Sequence, residues 1–255
     1  MIDPIAFNLG PLSIRWYGII IGAAVILGLL YTLKESEKKG INPEFFLDFV
    51  IIGVPAAVVG ARLYYVIFKW PQYKGHFIDI ISIWQGGLAI HGAIIAGFLV
   101  LLYLTRKYKV NMWKVVDILA PALVLGQGIG RWGNFINQEA YGGPVSREFI
   151  NHFPAFIKNQ MYINGTYYHP AFLYESLWDI AIFIVLILLR RKEFINNGDI
   201  FALYLIGYSL GRFFIEGIRT DSLMLGSIMV AQLISIIAIL IGIGIIMIRH
   251  RKGKV

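Results

Sequence analysis

The sequence predicts an all-α polytopic membrane protein that forms a single integral domain over residues 1–255. Hydrophobic residues make up 58% of the chain and charged residues 15%, whereas globular proteins have about 45–50% and about 25%. The mean hydropathy is +0.69. Seven runs of about 20 mostly apolar residues are each long enough to cross the hydrocarbon core as a helix. Lysine and arginine residues gather at the ends of these runs, as expected for membrane spans.

The seven predicted spans follow one another with short connections. They cover approximately residues 16–33, 45–68, 84–104, 112–130, 171–189, 199–218 and 223–248. The first run is expected to be retained, because Asp3 and two prolines precede it and a basic cluster does not. Fourteen Lys and Arg residues lie at the span ends of one side and seven at those of the other. The positive-inside rule therefore predicts an outside N-terminus and a cytoplasmic C-terminus.

The connection between the fourth and fifth spans is predicted to form a small extracytoplasmic cap over residues 131–170. It contains the turn signals Gly142-Gly143-Pro144 and Asn164-Gly165. Residues on both sides of Asn164-Gly165 alternate in a strand pattern, which predicts a hairpin with a tight turn. The N-terminal segment 1–14 is broken by prolines and is expected to lie in the outer interface.

Several classes of function are excluded by composition and motif context. Cysteine is absent, so a disulfide scaffold and an enzyme-borne thiol nucleophile are excluded. Neither a metal nor a cofactor is expected, because no His, Asp or Glu pair has convincing ligand spacing. The basic residues form short clusters rather than a stripe, so no nucleic-acid partner is expected. Gly128-x-Gly130-x-x-Gly133 resembles a dinucleotide fingerprint, but an apolar run precedes it where a strand is required. A serine hydrolase is disfavoured because no Gly-x-Ser-x-Gly elbow occurs.

Ionisable residues inside spans are costly and are therefore functional candidates. Asp48 and Asp117 lie at the starts of their helices and are expected to cap them, whereas Asp179 is left unassigned. Five further residues share a depth in the outer half of the bilayer, namely Arg62, His91, Glu175, Arg212 and Glu216. We expect them to line one cavity open to the outside. The alternative is that they form structural ion pairs between helices.

Two sequence patterns indicate a site for a phosphate group. Tyr208, Arg212 and Glu216 are spaced i, i+4, i+8 and so share a helix face, where a Glu216–Arg212 pair would leave part of the guanidinium free for phosphate. Gly207 and Gly211 beside them are expected to allow close helix packing. The second pattern is an anion-binding helix end or turn whose glycines let backbone approach a headgroup. It contains Arg131, with Asn134, Asn137 and Glu139 as donors and acceptors.

At these residues the chain resembles the prolipoprotein diacylglyceryl transferase family. The longest matching motif is Gly130-Arg131-x-Gly133-Asn134-Phe135-x-Asn137-x-Glu139-x-x-Gly142. Further matching segments are Trp16-Tyr17-Gly18, Gly60-Ala61-Arg62, Gly86-Gly87 with His91-Gly92, His169-Pro170 with Leu173-Tyr174-Glu175, and Gly207-Tyr208 with Arg212, Glu216 and Arg219. The resemblance covers residues 12–240. Two departures, Ala93 and Phe172, alter the local cavity but remove no candidate group.

The resemblance implies an enzyme that transfers the diacylglyceryl group of phosphatidylglycerol to the lipobox cysteine of a pre-prolipoprotein. Glycerol phosphate is released, and the implied location is the bacterial inner membrane with the active site on the extracytoplasmic side. His91 is the hypothetical general base, while Arg131 and Arg212 hold the phosphate. The remaining substrate-binding candidates are Tyr17, Asn134, Asn137, Glu139, Tyr208, Glu216, Arg62 and Arg219.

Two other classes of function are weighed against this one. A transporter or channel would carry charges through the full depth of the bilayer and often internal repeats, whereas here the charges cluster in one half and no repeat occurs. Another membrane phospholipid acyl- or phosphotransferase could use the same arginines. The chemical identity of the product distinguishes these alternatives.

Overall fold

The computed structural model describes residues 2–10 and 12–251, and most of them are helical. In chain order the helices are α1 (Trp16–Lys38), α2 (Glu44–Phe68), α3 (Trp70–Tyr73), α4 (Phe77–Ile81), α5 (Ile90–Lys107), α6 (Met112–Asn137), α7 (Arg147–Ile150), α8 (Ala155–Gln160), α9 (Ala171–Leu189), α10 (Asp199–Glu216) and α11 (Val230–Arg251). The strands are short: β1 (Ile5–Leu9), β2 (Leu12–Arg15), β3 (Pro144–Val145), β4 (Tyr162–Ile163), β5 (Thr166–Tyr168), β6 (Met224–Leu225) and β7 (Ile228–Met229).

Six helices in the described chain are long and apolar enough to cross a membrane: α1, α2, α5, α6, α9 and α11. The structure therefore agrees with the predicted polytopic helical class. Helix α10 occupies the place of the sixth predicted span and has 18 residues. It is not among the six because it carries three charged residues, Asp199, Arg212 and Glu216.

Three helices differ by six or more residues at one end from the apolar runs that predict them. Helix α11 begins at Val230 rather than at 223, because the short hairpin of β6 and β7 precedes it. Helix α5 begins at Ile90 rather than near residue 84, because Gly86 and Gly87 have positive φ angles of 85° and 70°, which a helix cannot contain. Helix α6 continues to Asn137, seven residues past the predicted end at 130. Arg131 therefore lies on a helix, and not in the connecting segment as predicted.

The chain divides into two compact units, one of residues 1–31 and 116–255 and the other of residues 32–115. In the first unit, buried residues of α6, α9 and α10 form one core: Ala120, Val124, Leu186, Ile200 and Tyr204. The Asp117 carboxylate on α6 accepts hydrogen bonds from the backbone N–H groups of Gly198 (2.7 Å) and Phe201 (2.9 Å). Asp117 thus caps the start of α10, and the prediction that it caps its own helix is wrong.

In the second unit, α2 packs closely along α5. A Cβ atom at Gly60 would lie 2.6 Å from the carbonyl oxygen of Gly92, so the two backbones are nearly in contact there. Asp48, the fifth residue of α2, pairs with Lys107 Nζ at 2.9 Å and accepts from the Tyr108 hydroxyl at 2.8 Å. Asp48 therefore joins α2 to the end of α5, which corrects its predicted role as a helix cap.

The segment after α6 folds into a small cap on the first unit. Its three strands pair in the order β3-β5-β4. Asn164 and Gly165 form the turn between β4 and β5 with φ angles of 49° and 85°, which confirms the predicted tight hairpin. Gly142 bridges to Arg219, and Gly143 N–H donates to Ile218 O at 2.8 Å. The cap is thereby tied to the segment that follows α10.

Candidate active site

An ion-pair cluster joins three helices of the first unit. The Glu175 carboxylate on α9 contacts Nε of Arg131 from α6, one terminal nitrogen of Arg212 from α10 at 3.0 Å, and one of Arg219 at 3.4 Å. The Glu175 side chain is 5% exposed and that of Arg212 is 20% exposed. We call Arg131, Glu175, Arg212, Glu216 and Arg219 the arginine cluster. Its three guanidinium groups are more accessible than the two glutamate carboxylates, which are buried.

Glu216 supplies the second carboxylate of the arginine cluster. One of its oxygens lies 2.5 Å from the second terminal nitrogen of Arg212 and 3.8 Å from Nε of Arg219. This confirms the Glu216–Arg212 pair predicted from their i, i+4 spacing. Asp221 receives two hydrogen bonds from Arg219, at 3.0 and 2.8 Å. Arg212 and Arg219 are therefore each held by a carboxylate close to them in sequence.

Close packing between α9 and α10 fixes the position of Arg212. A Cβ atom at Gly211 would collide with the indole ring of Trp178, and one at Gly207 would lie 2.7 Å from Ile182. The Trp178 indole N–H donates to the Gly207 carbonyl at 2.9 Å. These contacts confirm the close packing predicted at Gly207 and Gly211, and they place Arg212 one residue beyond the contact.

The glycines around Arg131 serve helix packing. A Cβ atom at Gly133 would lie 2.5 Å from the Tyr17 ring, and one at Gly128 would lie 3.2 Å from Cβ of Asp179. Both positions lie within α6. Side chains therefore occupy the space beside Gly128 and Gly133, whereas a Cβ atom at Gly126 would meet no atom within 4 Å. The expected approach of a headgroup to the backbone of this segment stays a prediction.

Residues at the end of α6 form a polar group next to Arg131. Asn134 Nδ2 donates to Glu139 Oε1 at 2.9 Å, and Asn137 Nδ2 donates to the same oxygen at 3.4 Å. The Tyr17 hydroxyl lies within electrostatic range of Glu139 and Arg131. Four of the predicted headgroup residues are thus brought together with Arg131. Tyr208 lies within electrostatic range of Arg131, Arg212 and Glu175, and it stacks on Tyr204.

Asp179 lies one helical turn from Glu175 on the same face of α9. Its side chain is buried, and its Oδ2 atom has no hydrogen-bond partner among the described residues. The sequence context leaves Asp179 unassigned, whereas it predicts that Glu175 lines the outer-half cavity but gives it no particular partner. The i, i+4 spacing of these two carboxylates inside one apolar helix was the signal that could have joined them.

Arg62 and His91 belong to the second unit. The Arg62 guanidinium donates to four backbone carbonyls, those of Asp79 (2.5 Å), Ile80 (3.0 Å), Gly86 (2.6 Å) and Gly87 (3.0 Å). It therefore organises the irregular segment before α5. Its predicted contact with substrate stays a prediction.

His91 lies in the first turn of α5, and its imidazole is exposed. The ring stacks on Tyr64 with a centroid distance of 5.6 Å and an interplanar angle of 23°. The backbone of the neighbouring Gly92 packs against that of Gly60 in α2. The packing of α5 on α2 therefore holds His91 beside Tyr64, with the histidine exposed.

Comparison with known proteins identifies the family. The family model described as "Prolipoprotein diacylglyceryl transferase" matches residues 4–248. Among curated relatives, a protein of Bacillus velezensis is 52% identical over 99% of this chain and 94% of the relative. Relatives from Staphylococcus saprophyticus and Listeria innocua are 51% and 48% identical, each over 98% of this chain and 91% of their own length. All three are named phosphatidylglycerol–prolipoprotein diacylglyceryl transferase. The chain therefore belongs to the prolipoprotein diacylglyceryl transferase family.

Proposed function

We propose that this protein transfers the diacylglyceryl group of phosphatidylglycerol to the lipobox cysteine of pre-prolipoproteins, the first step of lipoprotein maturation. The cysteine sulfur forms a bond to the glyceryl carbon while the bond from that carbon to the phosphate oxygen breaks. The thiol proton passes to a base, and glycerol phosphate leaves with the bonding electron pair. Family membership over nearly the whole chain supports this assignment.

The arginine cluster is the observation that carries the chemical part of the proposal. As the carbon–oxygen bond breaks, the phosphate group gains a second negative charge. Arg131 and Arg212 would hold this group and stabilise the new charge, because a guanidinium stays protonated and binds two oxygens at once. Their nitrogens already converge on one carboxylate oxygen pair, that of Glu175. Glu216 positions Arg212, and Arg219 adds a third positive charge.

The remaining residues take binding or proton-transfer roles in this proposal. Tyr17, Asn134, Asn137 and Glu139 bind the glycerol headgroup, since they offer hydroxyl, amide and carboxylate groups beside Arg131. Tyr208 lines the same site, and His91 accepts the thiol proton. An imidazole suits this step because histidine is the side chain that most often accepts a proton as a general base in enzymes.

The proposed topology has seven spans, with α10 as the sixth. Its polar face carries Arg212 and Glu216, which pair with each other, and Arg212 also pairs with Glu175 of α9. Pairing lowers the cost of placing charges in a bilayer. The excess of basic residues at one set of span ends supports an outside N-terminus and a cytoplasmic C-terminus. The active site then faces the extracytoplasmic side of the bacterial inner membrane, where secreted pre-lipoproteins emerge.

The test is the intact mass of a lipobox peptide after incubation with purified protein and phosphatidylglycerol. We expect the peptide to gain one diacylglyceryl group through a linkage stable to mild base. The gain should disappear with an Arg131→Ala variant and with a peptide that has serine in place of cysteine. If the folded wild-type protein adds no diacylglyceryl group, the proposal is wrong, and a changed phospholipid in the same sample would then indicate another lipid enzyme.

A further inference from the structure

Among the described residues, Glu175 alone contacts all three arginines of the arginine cluster. It reaches Arg131 through Nε, Arg212 at 3.0 Å and Arg219 at 3.4 Å. Arg131 comes from α6, Arg212 from α10 and Arg219 from the segment directly after α10, whereas Glu175 comes from α9. One buried carboxylate therefore occupies the point where three separate donors converge.

The other carboxylates of this region serve arginines close to them in sequence. Glu216 lies four residues from Arg212 and three from Arg219, and Asp221 lies two residues from Arg219. If Glu175 withdraws, Arg212 keeps Glu216 and Arg219 keeps Asp221. Arg131, by contrast, loses the carboxylate partner that the described structure gives it. Withdrawal of Glu175 therefore releases one donor site at each of three arginines without leaving Arg212 or Arg219 unpaired.

A phosphate group requires the same donors that Glu175 uses. Two anions held side by side in a poorly hydrated site repel each other, and each needs compensating hydrogen bonds. We propose that Glu175 and the lipid phosphate compete for Arg131, Arg212 and Arg219, so that phosphate binds by displacing the Glu175 carboxylate. This inference rests on the proposed function. It makes Glu175 a positioning residue, which gathers the three guanidinium groups between turnovers.

The competition predicts that a substitution inside the binding site strengthens the binding of phosphate. Replacing Glu175 by glutamine removes the competing charge but keeps the size of the side chain. We expect the full-length Glu175→Gln variant to bind inorganic phosphate and glycerol phosphate with a Kd about tenfold lower than the wild type. It should be less stable than the wild type without phosphate, and phosphate should raise its Tm by more than it raises that of the wild type.

Two variants control this experiment. Glu175→Asp keeps the negative charge and should bind phosphate with nearly the wild-type Kd. Glu148→Gln makes the same chemical change at an exposed position of α7 and should alter neither Kd nor Tm. Binding is measured by calorimetry in a zwitterionic detergent, so that no anionic lipid competes with the probe.

An equal or higher phosphate Kd in Glu175→Gln would overturn the inference, because Glu175 would then support the phosphate position. If Glu175→Gln does not fold, the smaller Glu175→Ser variant is measured instead, and its phosphate Kd should likewise be lower than that of the wild type. Failure of both variants to fold, with phosphate present as well as without it, also rejects the inference, since a displaceable carboxylate cannot be indispensable.

The outcome is separable from that of the proposed function, because phosphate binding is measured without lipid or peptide. A wild-type protein that lipidates the peptide while Glu175→Gln binds phosphate more weakly rejects only the competition. A protein that shows the expected phosphate pattern but modifies no peptide rejects only the proposed transfer reaction.

Discussion

His91 combines an exposed imidazole with a fixed place on α5, and its role as general base can be tested by the pH dependence of the rate. His91→Gln should lower kcat of peptide lipidation by about 10²- to 10⁴-fold and change the pH profile of the rate, because the proton acceptor is removed. His76→Gln, at an exposed histidine of the same unit, is the control and should keep the wild-type profile. An unchanged profile in His91→Gln would remove His91 from the role.

His169 should make folding stability depend on pH. Burial lowers the pKa of its imidazole below the ordinary value of 6.5, because the charged form is poorly solvated. The unfolded chain therefore binds a proton at a higher pH than the folded protein does. Stability from this source is complete above about pH 6.5 and is lost as pH falls through that value towards the folded-state pKa.

The measurement is the free energy of unfolding in detergent between about pH 7.5 and pH 5. His169→Asn should lose less stability over this range than the wild type does, whereas His152→Asn, at an exposed histidine of the cap, should follow the wild type. Equal slopes for His169→Asn and the wild type would show that His169 does not contribute to acid sensitivity.

At the residue scale, local pairs were predictable from spacing and long-range ones were not. The Arg212–Glu216 pair was predictable because residues four apart lie on the same face of a helix. The contacts of Glu175 with Arg131 and Arg219 depend on how α6, α9 and the segment after α10 come together. No spacing rule contains that information. Asp117 is similar, since it caps a helix that begins 82 residues later in the chain.

At the scale of elements, the contact between α9 and α10 determines where Arg212 lies. Gly211→Ala would place a methyl group inside the Trp178 ring, whose N–H is already bound to the Gly207 carbonyl and cannot move freely. We expect a loss of about 1–3 kcal/mol in the free energy of unfolding, with a lower transfer rate because Arg212 shifts. Denaturant unfolding in detergent measures the first effect and peptide lipidation the second.

Gly244→Ala in α11 is the matched control, because a Cβ atom there meets no atom within 4 Å. This variant should be unchanged or more stable by up to about 1 kcal/mol, since alanine favours helix. Equal stabilities of the two variants would show that close contact at Gly211 does not constrain the α9–α10 pair.

The ends of the elements were less predictable than their existence. Apolar length located every long helix, but it could not show that α6 continues through Arg131 to Asn137, because the polar residues there face partners inside the first unit. The start of α5 was placed too early because Trp84 is apolar, whereas the backbone at Gly86 and Gly87 is not helical. The apolar content of a segment indicates whether it prefers lipid to water. It does not locate the ends of a helix, because these depend on backbone conformation and capping.

At the scale of the whole molecule, composition was sufficient to predict a membrane protein, and the motif from Gly130 to Gly142 was sufficient to predict the family. The hydrophobic content of 58% indicates a membrane protein. The apolar runs are about 20 residues long because a helix of that length crosses a bilayer. The arrangement of the cap on α6 depends instead on buried contacts such as those of Gln160, whose side chain donates to the Phe135 and Ile136 carbonyls. Motif spacing does not predict these contacts, because Gln160 lies more than 20 residues from both carbonyls.

Whether α10 crosses the membrane decides the topology of the whole protein, and the absence of cysteine makes this measurable. Lys192 precedes α10 and Ser227 follows it, and both positions are exposed. If α10 spans the bilayer with the proposed orientation, Ser227→Cys should react with a membrane-impermeant maleimide in intact bacteria. Lys192→Cys should react only after the cells are permeabilised.

The cysteine-free parent is the control and should remain unlabelled. Labelling of both variants from the outside would mean that α10 does not span, and the reverse pattern would mean that the orientation is inverted. The inverted orientation would also move Arg212 and Glu216, which lie near the end of α10, away from the side on which a secreted lipobox cysteine arrives.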